Sequence, residues 1–381
     1  MTNFFNKFHI GTYYFQKNAR TEQGVKDLSE SGIDVVFCLD NDREMLDLFN
    51  KYGVSAIVSG IVPGWFGGHG DNAGTMAETN KREKYIDGIN AFVDHPAIVG
   101  IDAGDEPSSL DFPHYGQMLN LMKELAPTKV PYLNIYPSYA MLASNSPEQT
   151  VKELGVPTYQ EYIDAYAKYV DIPYISFDHY YLTSSPDRLF SDLKINANYC
   201  KEYGKSLFYI GQVNSLDPEH YVTEAELALQ AFGAMAHGAK AVSWACYSKG
   251  WWSHNVLDSD GNKTEQYEKL KKINRNVLAI ADDYFAYSWV DTERANGDHS
   301  YGAFKNITVN NDALIGKFEK DGKSAVLVSP VNCDAEKYVV TFKAEGTVYA
   351  NTCASKKALA PENGVYTVTF KNTEACFITV E

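Results

Sequence analysis

Two adjacent carboxylic acids, Asp105 and Glu106, follow the apolar run at residues 97–101 and precede Pro107. The run is typical of a central parallel strand that is buried on both faces. Because proline ends such a strand, the two acids stand at its carboxyl end, where α/β folds place their active sites. A carboxyl group with a raised pKa beside a second carboxylate can protonate a leaving oxygen. The competing interpretation is that both acids only cap a following helix, since acids favour a helix N-terminus.

The segments that must position these acids alternate between short apolar runs and longer stretches of helical spacing. This alternation predicts an α/β fold, a (β/α)8 barrel. Residues 224–237 carry a broad apolar face and precede Gly238, which predicts a helix that ends there. An open doubly wound sheet is the alternative, but no Gly-x-Gly-x-x-Gly motif follows the first strand. The predicted strands are 8–15, 34–39, 55–62, 97–102, 132–136, 174–177, 207–211 and 241–246.

The pattern changes beyond Trp289, where alternating β-type segments are separated by Asp-Gly, Glu-Gly and Asn-Gly pairs. Such pairs favour tight hairpin turns, so this part is predicted to be a small antiparallel β-sandwich. We therefore predict a barrel over residues 1–290 and a sandwich with its linker over residues 291–381, the connection lying near 291–311. The sandwich is expected to pack on the barrel and offers a surface for a homo-oligomer.

The composition narrows the classes of partner. The chain has 381 residues, with 49 Asp and Glu against 34 Lys and Arg, and a formal net charge of -15 at pH 7. Such a surface repels nucleic acids and anionic membranes, so neither is expected as a partner. The six cysteines are scattered, without a Cys-x-x-Cys pair or a Cys/His cluster. We therefore expect reduced thiols, and neither a metal nor a cofactor.

The N-terminal segment, residues 1–8, lacks the apolar core of a signal peptide. A run of about 18 consecutive apolar residues, which a membrane-spanning helix needs, is absent from the sequence. The sequence thus predicts a cytoplasmic protein, although a chain trimmed of its signal would look the same.

The predicted strand ends carry aromatic, amide and hydroxyl groups. Sugars place their flat apolar faces on aromatic rings and their hydroxyls on polar side chains, so this set favours a carbohydrate pocket. His179 follows Asp178, but no third metal ligand is suitably spaced, and a hydrogen-bonding role is expected. The glycine-rich segment 63–70 is interpreted as a mobile lid. The expected sugar-binding residues are His9, Tyr13, Trp65, Asn134, Tyr136, His179, Tyr180, Trp244, Trp251 and Trp252.

Three positions at the predicted strand ends resemble the clan A glycoside hydrolases, a group of (β/α)8 enzymes that includes the family 42 β-galactosidases. Asp105-Glu106-Pro107 is similar to the family's Asn-Glu-Pro, while Tyr180 and Trp244 are similar to its strand 6 tyrosine and strand 8 tryptophan. Segments 132–137, 176–180 and 237–241 also resemble bacterial relatives with a C-terminal β-sandwich. The resemblance implies hydrolysis of O-glycosidic bonds with Glu106 as general acid/base.

The sequence departs from the family at the nucleophile. The family has a glutamate at the end of strand 7, where this chain has Gln212, whose amide is a poor nucleophile. One explanation is an engineered Glu→Gln replacement. A second is a 2-acetamido sugar that supplies its own nucleophile, with Asp105 accepting the acetamido N–H as in an N-acetylhexosaminidase.

A third explanation is that another carboxylate acts in place of Gln212. The candidates are Asp178, Asp40 and Asp102. A sugar-binding barrel without catalysis also remains open, since fold alone does not fix function. The predicted catalytic residues are Glu106, Asp105, Gln212 and Asp178.

Overall fold

A computed structural model describes residues 3–66, 72–140, 148, 153–248 and 252–381. Its N-terminal part is an α/β barrel of parallel strands. The strands are β1 His9–Tyr13, β2 Val35–Asp40, β3 Ser55–Ser59, β4 Trp65–Phe66, β5 Ile98–Asp105, β6 Val130–Asn134, β7 Tyr174–Asp178, β8 Ser206–Gln212 and β9 Ala239–Ala245.

Parallel pairing runs from β1 through β2, β3 and β5 to β6 on one side, and from β1 through β9 and β8 to β7 on the other. A parallel bridge between Ile135 and Phe177 joins the two ends of this path. The short strand β4 pairs with the end of β5, beyond the point where β3 stops. The predicted (β/α)8 barrel is therefore confirmed, and each predicted strand overlaps an observed one.

The described helices surround the sheet. They are α1 Glu22–Glu30, α2 Arg43–Tyr52, α3 Met76–Thr79, α4 Arg82–Ala91, α5 Phe112–Leu125, α6 Tyr159–Tyr169, α7 Pro186–Tyr203, α8 Glu224–Ala236 and α9 Glu265–Phe285. Reciprocal hydrogen bonds between Thr223 and Glu226 cap the start of α8. Gly238, just beyond its end, has a φ of 87°, which glycine adopts without steric cost. Among the described residues, no helix is long and apolar enough to cross a membrane.

The C-terminal part consists of two antiparallel sheets. One has the strand order β10-β13-β14-β19-β16-β17 and the other β11-β12-β15-β18. The strands are β10 Ser288–Arg294, β11 His299–Tyr301, β12 Phe304–Val309, β13 Ala313–Lys320, β14 Lys323–Pro330, β15 Lys337–Ala344, β16 Val348–Asn351, β17 Lys356–Leu359, β18 Tyr366–Lys371 and β19 Cys376–Val380. An apolar core that includes Tyr338, Val340 and Phe342 lies between the sheets, as expected for a β-sandwich.

The connection expected near residues 291–311 is occupied instead by β10, β11 and β12. Its Asn, Asp and Gly residues lie in these strands and in the turns between them, because the same residue types that favour linkers also favour tight turns. The boundary between residues 290 and 291 falls inside β10, and the division of the chain at that point stays a prediction.

The six-stranded sheet packs its outer face on the barrel. Ile315 of β13 faces the core between the sheets, whereas Leu314 and Phe318 belong to the barrel core. The ring of Phe318 lies 5.3 Å from that of Tyr284 in α9. Gly316 lies between Leu314 and Phe318 in β13, where the backbone has no room for a side chain. A Cβ there would lie 2.5 Å from the carbonyl oxygen of Ala236. This close approach seats β13 on the end of α8.

Candidate active site

A cleft of about 280 Å³ opens at the carboxyl ends of the barrel strands. Besides Tyr14, every residue that borders it was predicted from the sequence to act in catalysis or sugar binding. The cleft is lined by Tyr13, Tyr14, Asp105, Glu106, Asn134, Asp178, Tyr180 and Trp252. These side chains come from the ends of β1, β5, β6 and β7 and from the segment after β9, so the barrel itself brings them together.

Asn134 joins two of the three carboxyl groups in the cleft. Its Nδ2 donates to Oδ1 of Asp178 at 2.7 Å and to Oδ1 of Asp105 at 3.0 Å. Both carboxylates are therefore within hydrogen-bonding distance of one amide nitrogen. The Asn134 Oδ1 accepts a hydrogen bond from Ser176 Oγ at 3.0 Å, which fixes the orientation of the amide.

This contact continues into the barrel interior. Ser176 Oγ lies 3.0 Å from the phenol oxygen of Tyr132, which lies 2.9 Å from the phenol oxygen of Tyr13. All these groups except Tyr13 are fully buried or nearly so, and each side-chain oxygen has a partner. A connected set of hydrogen bonds thus supports the acids from beneath, where unpaired polar groups would be costly.

The backbone at the end of β5 is irregular. Glu106 has a φ of 46°, in the left-handed region that is uncommon for residues other than glycine. Its N–H donates to the Asn134 carbonyl at 3.0 Å, and the Tyr162 hydroxyl donates to the carbonyl of Pro107 at 2.7 Å. These bonds hold Glu106 in a conformation that costs of order 1 kcal/mol and that is concentrated at functional sites.

The three carboxyl groups resist ionisation. Burial raises the pKa of Glu106 well above its usual range, and the charges of Asp178 and Asp105 raise it further. Burial and the charge of Asp178 also raise the pKa of Asp105, while burial raises that of Asp178 against the opposing hydrogen bond from Asn134. Like charges this close oppose one another's ionisation, so the protonation of each acid depends on that of the other two.

Aromatic rings form two walls of the cleft. The rings of Tyr180 and Trp252 meet edge to face with centroids 4.7 Å apart. On the other side, the centroids of Tyr13 and Tyr14 are 5.6 Å apart. Consecutive residues of a strand normally face opposite sides, but Tyr14 has a φ of 57°, and both tyrosines therefore reach the cleft. The sequence offered Tyr14 at the end of the first strand equally as a pocket or a core residue, because this turn of the backbone leaves no signal in the residue types.

Several predicted residues do not border the cleft. His9 begins β1 at the opposite end of the barrel, where its ring stacks on Phe4 with centroids 4.1 Å apart. His179 is fully buried, with Nδ1 2.7 Å from Asp192 and Nε2 2.8 Å from Ser184. The expectation that these two histidines contact a sugar is thus not met, because both are occupied by structural hydrogen bonds.

Three further side chains point elsewhere. Trp244 is fully buried and donates from Nε1 to Asn274 of α9 at 2.9 Å, so it faces the helices. Trp65 is half-buried on β4 and donates to Asp111 at 3.2 Å. Tyr136 is buried, and its ring centroid lies 6.3 Å from that of Tyr162. Strand position alone placed these aromatic residues near the cleft, whereas the direction of each side chain takes it away.

Gln212 is fully buried at the end of β8 and does not border the cleft. Within the described parts of the chain, neither atom of its side-chain amide has a hydrogen-bond partner. Asp102 is also buried and accepts from Ser59 at 2.9 Å, while Asp40 is exposed and pairs with Arg20 at 2.6 Å. Of the alternative carboxylates, only Asp178 borders the cleft. Trp251 and residues 67–70 of the predicted lid lie outside the described residues.

No group of three or more His, Cys, Asp or Glu side chains in the described ranges is arranged to hold a metal ion. The acids of the cleft are suited instead to moving protons. One protonated carboxyl group beside a carboxylate is the pair that acid/base chemistry on an oxygen leaving group requires.

Comparisons with known proteins bear on the fold. No family profile and no curated protein matches the chain. One solved structure, described as a glycoside hydrolase, is similar over 98% of this chain and 92% of its own, with a TM-score of 0.55 and 9% identity. At this identity the likeness shows the fold alone.

Two other similar structures cover a smaller share of this chain. A glycoside hydrolase family 5 mannosidase from Rhizomucor miehei has a TM-score of 0.49 and 10% identity over 73% of this chain and 94% of its own. Xylanase 10B from Thermotoga maritima has a TM-score of 0.46 and 14% identity over 71% of this chain and 95% of its own. The resemblance to family 42 in particular stays a prediction.

Proposed function

We propose that this protein hydrolyses O-glycosidic bonds of a carbohydrate with Glu106 as the general acid. The observation that carries the proposal is the cleft itself. Three carboxyl groups and four aromatic rings surround one space at the carboxyl ends of a barrel. Acids supply the proton chemistry, and rings supply faces for a sugar, so one site holds both requirements of the reaction.

Glu106 is the proton donor in this proposal. Burial and the neighbouring charges raise its pKa, which favours the protonated carboxyl group that can protonate the departing oxygen. In a reaction in which Asp178 attacks the anomeric carbon, the ionised Glu106 then accepts a proton from the water of the second step. The left-handed backbone at Glu106 and the bonds that hold it keep this carboxyl group in the cleft.

Asp178 is the partner carboxylate. It borders the cleft with Glu106, whereas Gln212 does not, and the hydrogen bond from Asn134 favours its ionised form. In this role it either attacks the anomeric carbon or activates water, according to its distance from the donor.

A substrate-assisted reaction is the second candidate, favoured by the adjacent acids Asp105 and Glu106 facing the same cleft. A 2-acetamido group would then provide the nucleophile, and Asp105 would accept its N–H. Activity on N-acetylhexosaminides and none on plain hexosides distinguishes this reaction from the first.

The test is a panel of aryl glycosides and the substitution Glu106→Gln. We expect hydrolysis of glycosides with poor leaving groups to fall by roughly 10² to 10⁴-fold, and that of glycosides with good leaving groups to fall much less. The exposed Glu202→Gln serves as the control and should leave both rates unchanged.

Equal rates for the native protein and Glu106→Gln would remove this residue from its role. Saturable sugar binding with no hydrolysis of any glycoside in the panel would instead identify a sugar-binding barrel.

A further inference from the structure

A second and larger cavity lies beside the cleft. It is an open groove of about 1000 Å³ between the segments that follow β6 and β7 and the first turns of α7. The side chains that line this groove include Ser138, Tyr139, Ser184, Arg188 and Asp192. The ends of β6 and β7 also supply Asn134, Asp178 and Tyr180 to the cleft, so the same two strand ends serve both cavities.

The ring of Tyr139 lies between the two cavities. It lines the groove, and its centroid lies 5.0 Å from that of the His179 ring, which directly precedes Tyr180 of the cleft. The carboxyl groups of Asp178 and Glu106 are close enough to raise the pKa of this phenol beyond the effect of burial. The groove therefore begins about one aromatic ring away from the acids.

The acids that border the groove already have partners. Asp187 accepts from Arg294 at 3.2 Å, and Asp192 lies 2.7 Å from His179 and accepts from the backbone N–H of Ser138 at 3.0 Å. Neither carboxylate is hydrogen-bonded or ion-paired to Arg188.

Arg188, in contrast to these acids, has only one of its donor groups paired among the described residues. It is half-buried, and its Nε donates to Ser138 Oγ at 3.3 Å. Within the described ranges its two terminal nitrogens have neither a hydrogen-bond partner nor an ion-pair partner. A guanidinium group in this state presents a fork of donors that matches the two oxygens of a carboxylate or sulfate.

We propose that this groove is a second sugar subsite, in which Arg188 binds a negatively charged substituent, carboxylate or sulfate, on the sugar residue next to the one in the cleft. The inference rests on the proposed function. The cleft of about 280 Å³ has room for little more than one sugar ring, so the rest of an oligosaccharide must lie outside it. The serine hydroxyls and the Tyr139 ring offer hydrogen bonds and an apolar face to that next residue.

The experiment measures binding to the Glu106→Gln protein by isothermal titration calorimetry. The probes are uronic acid oligosaccharides, the same oligosaccharides with their carboxyl groups reduced to alcohols, and sulfated disaccharides. We expect at least one acidic probe to bind about 10-fold or more tightly than its neutral counterpart, the usual effect of a charge-assisted hydrogen bond. The carboxylate and sulfate arms identify which substituent is bound.

Arg188→Gln should abolish this preference, and Arg188→Lys, which keeps the charge without the fork, should retain only part of it. The control is Arg275→Gln, an exposed arginine of α9 without an ion pair among the described residues, which should keep the full preference. Equal affinity for acidic and neutral probes would overturn the proposal, as would a preference that survives in a folded Arg188→Gln protein. Should Arg188→Gln fail to fold, an undiminished preference in Arg188→Lys would overturn it.

The two proposals fail in different ways. Glu106-dependent hydrolysis of neutral aryl glycosides without any preference for acidic probes would keep the hydrolase and reject the subsite. Arg188-dependent binding of acidic probes without hydrolysis of any glycoside would keep the binding site and reject the hydrolase.

Discussion

At the scale of single residues, the candidate site depends on where each carboxyl group finds its hydrogen-bond donors. Asp105 and Asp178 share the amide of Asn134, whereas Glu106 is surrounded by other acids. In the proposed function this difference favours Glu106 as the proton donor, because the hydrogen bond from Asn134 favours the ionised form of each aspartate. The residue types of this cluster could be predicted from the sequence because they follow three buried strands.

The raised pKa of Asp105 makes the stability of the protein depend on pH. Burial and neighbouring charge raise the pKa of Asp105 in the folded state, so above the ordinary aspartate pKa of about 4 the folded protein binds more protons than the unfolded chain. Stability from this group is then lost as pH rises. We expect Asp105→Asn to increase the free energy of unfolding at pH 8 by about 1 kcal/mol or more, with little effect at pH 4.

Urea unfolding at several pH values measures this effect. The exposed Asp282→Asn of α9 is the matched control and should follow the native protein at every pH. A slope of stability against pH that is the same for Asp105→Asn and the native protein would show that Asp105 ionises normally in the folded state.

At the scale of elements, the strands were predictable and the side-chain directions at their ends were not. Buried parallel strands are continuous apolar runs with polar residues on both sides, so the sequence indicates where they lie. The predicted strand 174–177, for example, corresponds to the observed strand Tyr174–Asp178. Trp244 and His179 stand at strand ends as expected, but each turns toward the helices to reach a buried partner. That choice depends on contacts between distant segments, which residue spacing does not contain.

The strand β4 illustrates such a contact, because it pairs with β5 only where Gly104 allows it. Gly104 has a φ of 138°, and a Cβ there would lie 2.2 Å from the carbonyl oxygen of Trp65. We expect Gly104→Ala to lower the free energy of unfolding by about 2 to 4 kcal/mol and to reduce turnover, since the strand end carries Asp105 and Glu106. Chemical denaturation and the aryl glycoside assay measure the two effects.

Gly60→Ala is the control, because Gly60 also has a positive φ, 79°, but apart from its chain neighbours no atom of the described residues lies within 4 Å of the added Cβ. Its cost should be only the backbone cost, about 1 kcal/mol. Equal destabilisation by the two substitutions would mean that the approach of β4 does not matter.

At the scale of the whole molecule, the barrel and the sandwich share apolar packing. Leu314 and Phe318 of β13 and Phe377 of β19 belong to the same cluster of buried residues as the barrel core. The change in the sequence from strand-helix alternation to hairpin signals predicted a second, all-β part of the molecule. The extent of their contact was not predictable, since it depends on which face of each strand meets α8 and α9.

We expect the two parts to unfold together. Phe318→Ala, at the junction, and Phe342→Ala, between the two sheets, should each lower the stability by about 3 to 5 kcal/mol within one transition. Far-ultraviolet circular dichroism and tryptophan fluorescence should give coincident unfolding curves for both variants. A separate early transition in Phe342→Ala would show that the sandwich unfolds independently of the barrel.

The hydrogen-bond chain beneath the acids has a polarity. The Asn134 Oδ1 can only accept, so the Ser176 hydroxyl must point its hydrogen toward it. Ser176 then receives the hydrogen of Tyr132, and Tyr132 in turn receives that of Tyr13. With its hydrogen committed inward, the Tyr13 oxygen can only accept a further hydrogen bond, so any group of a bound molecule that bonds to it must be a donor.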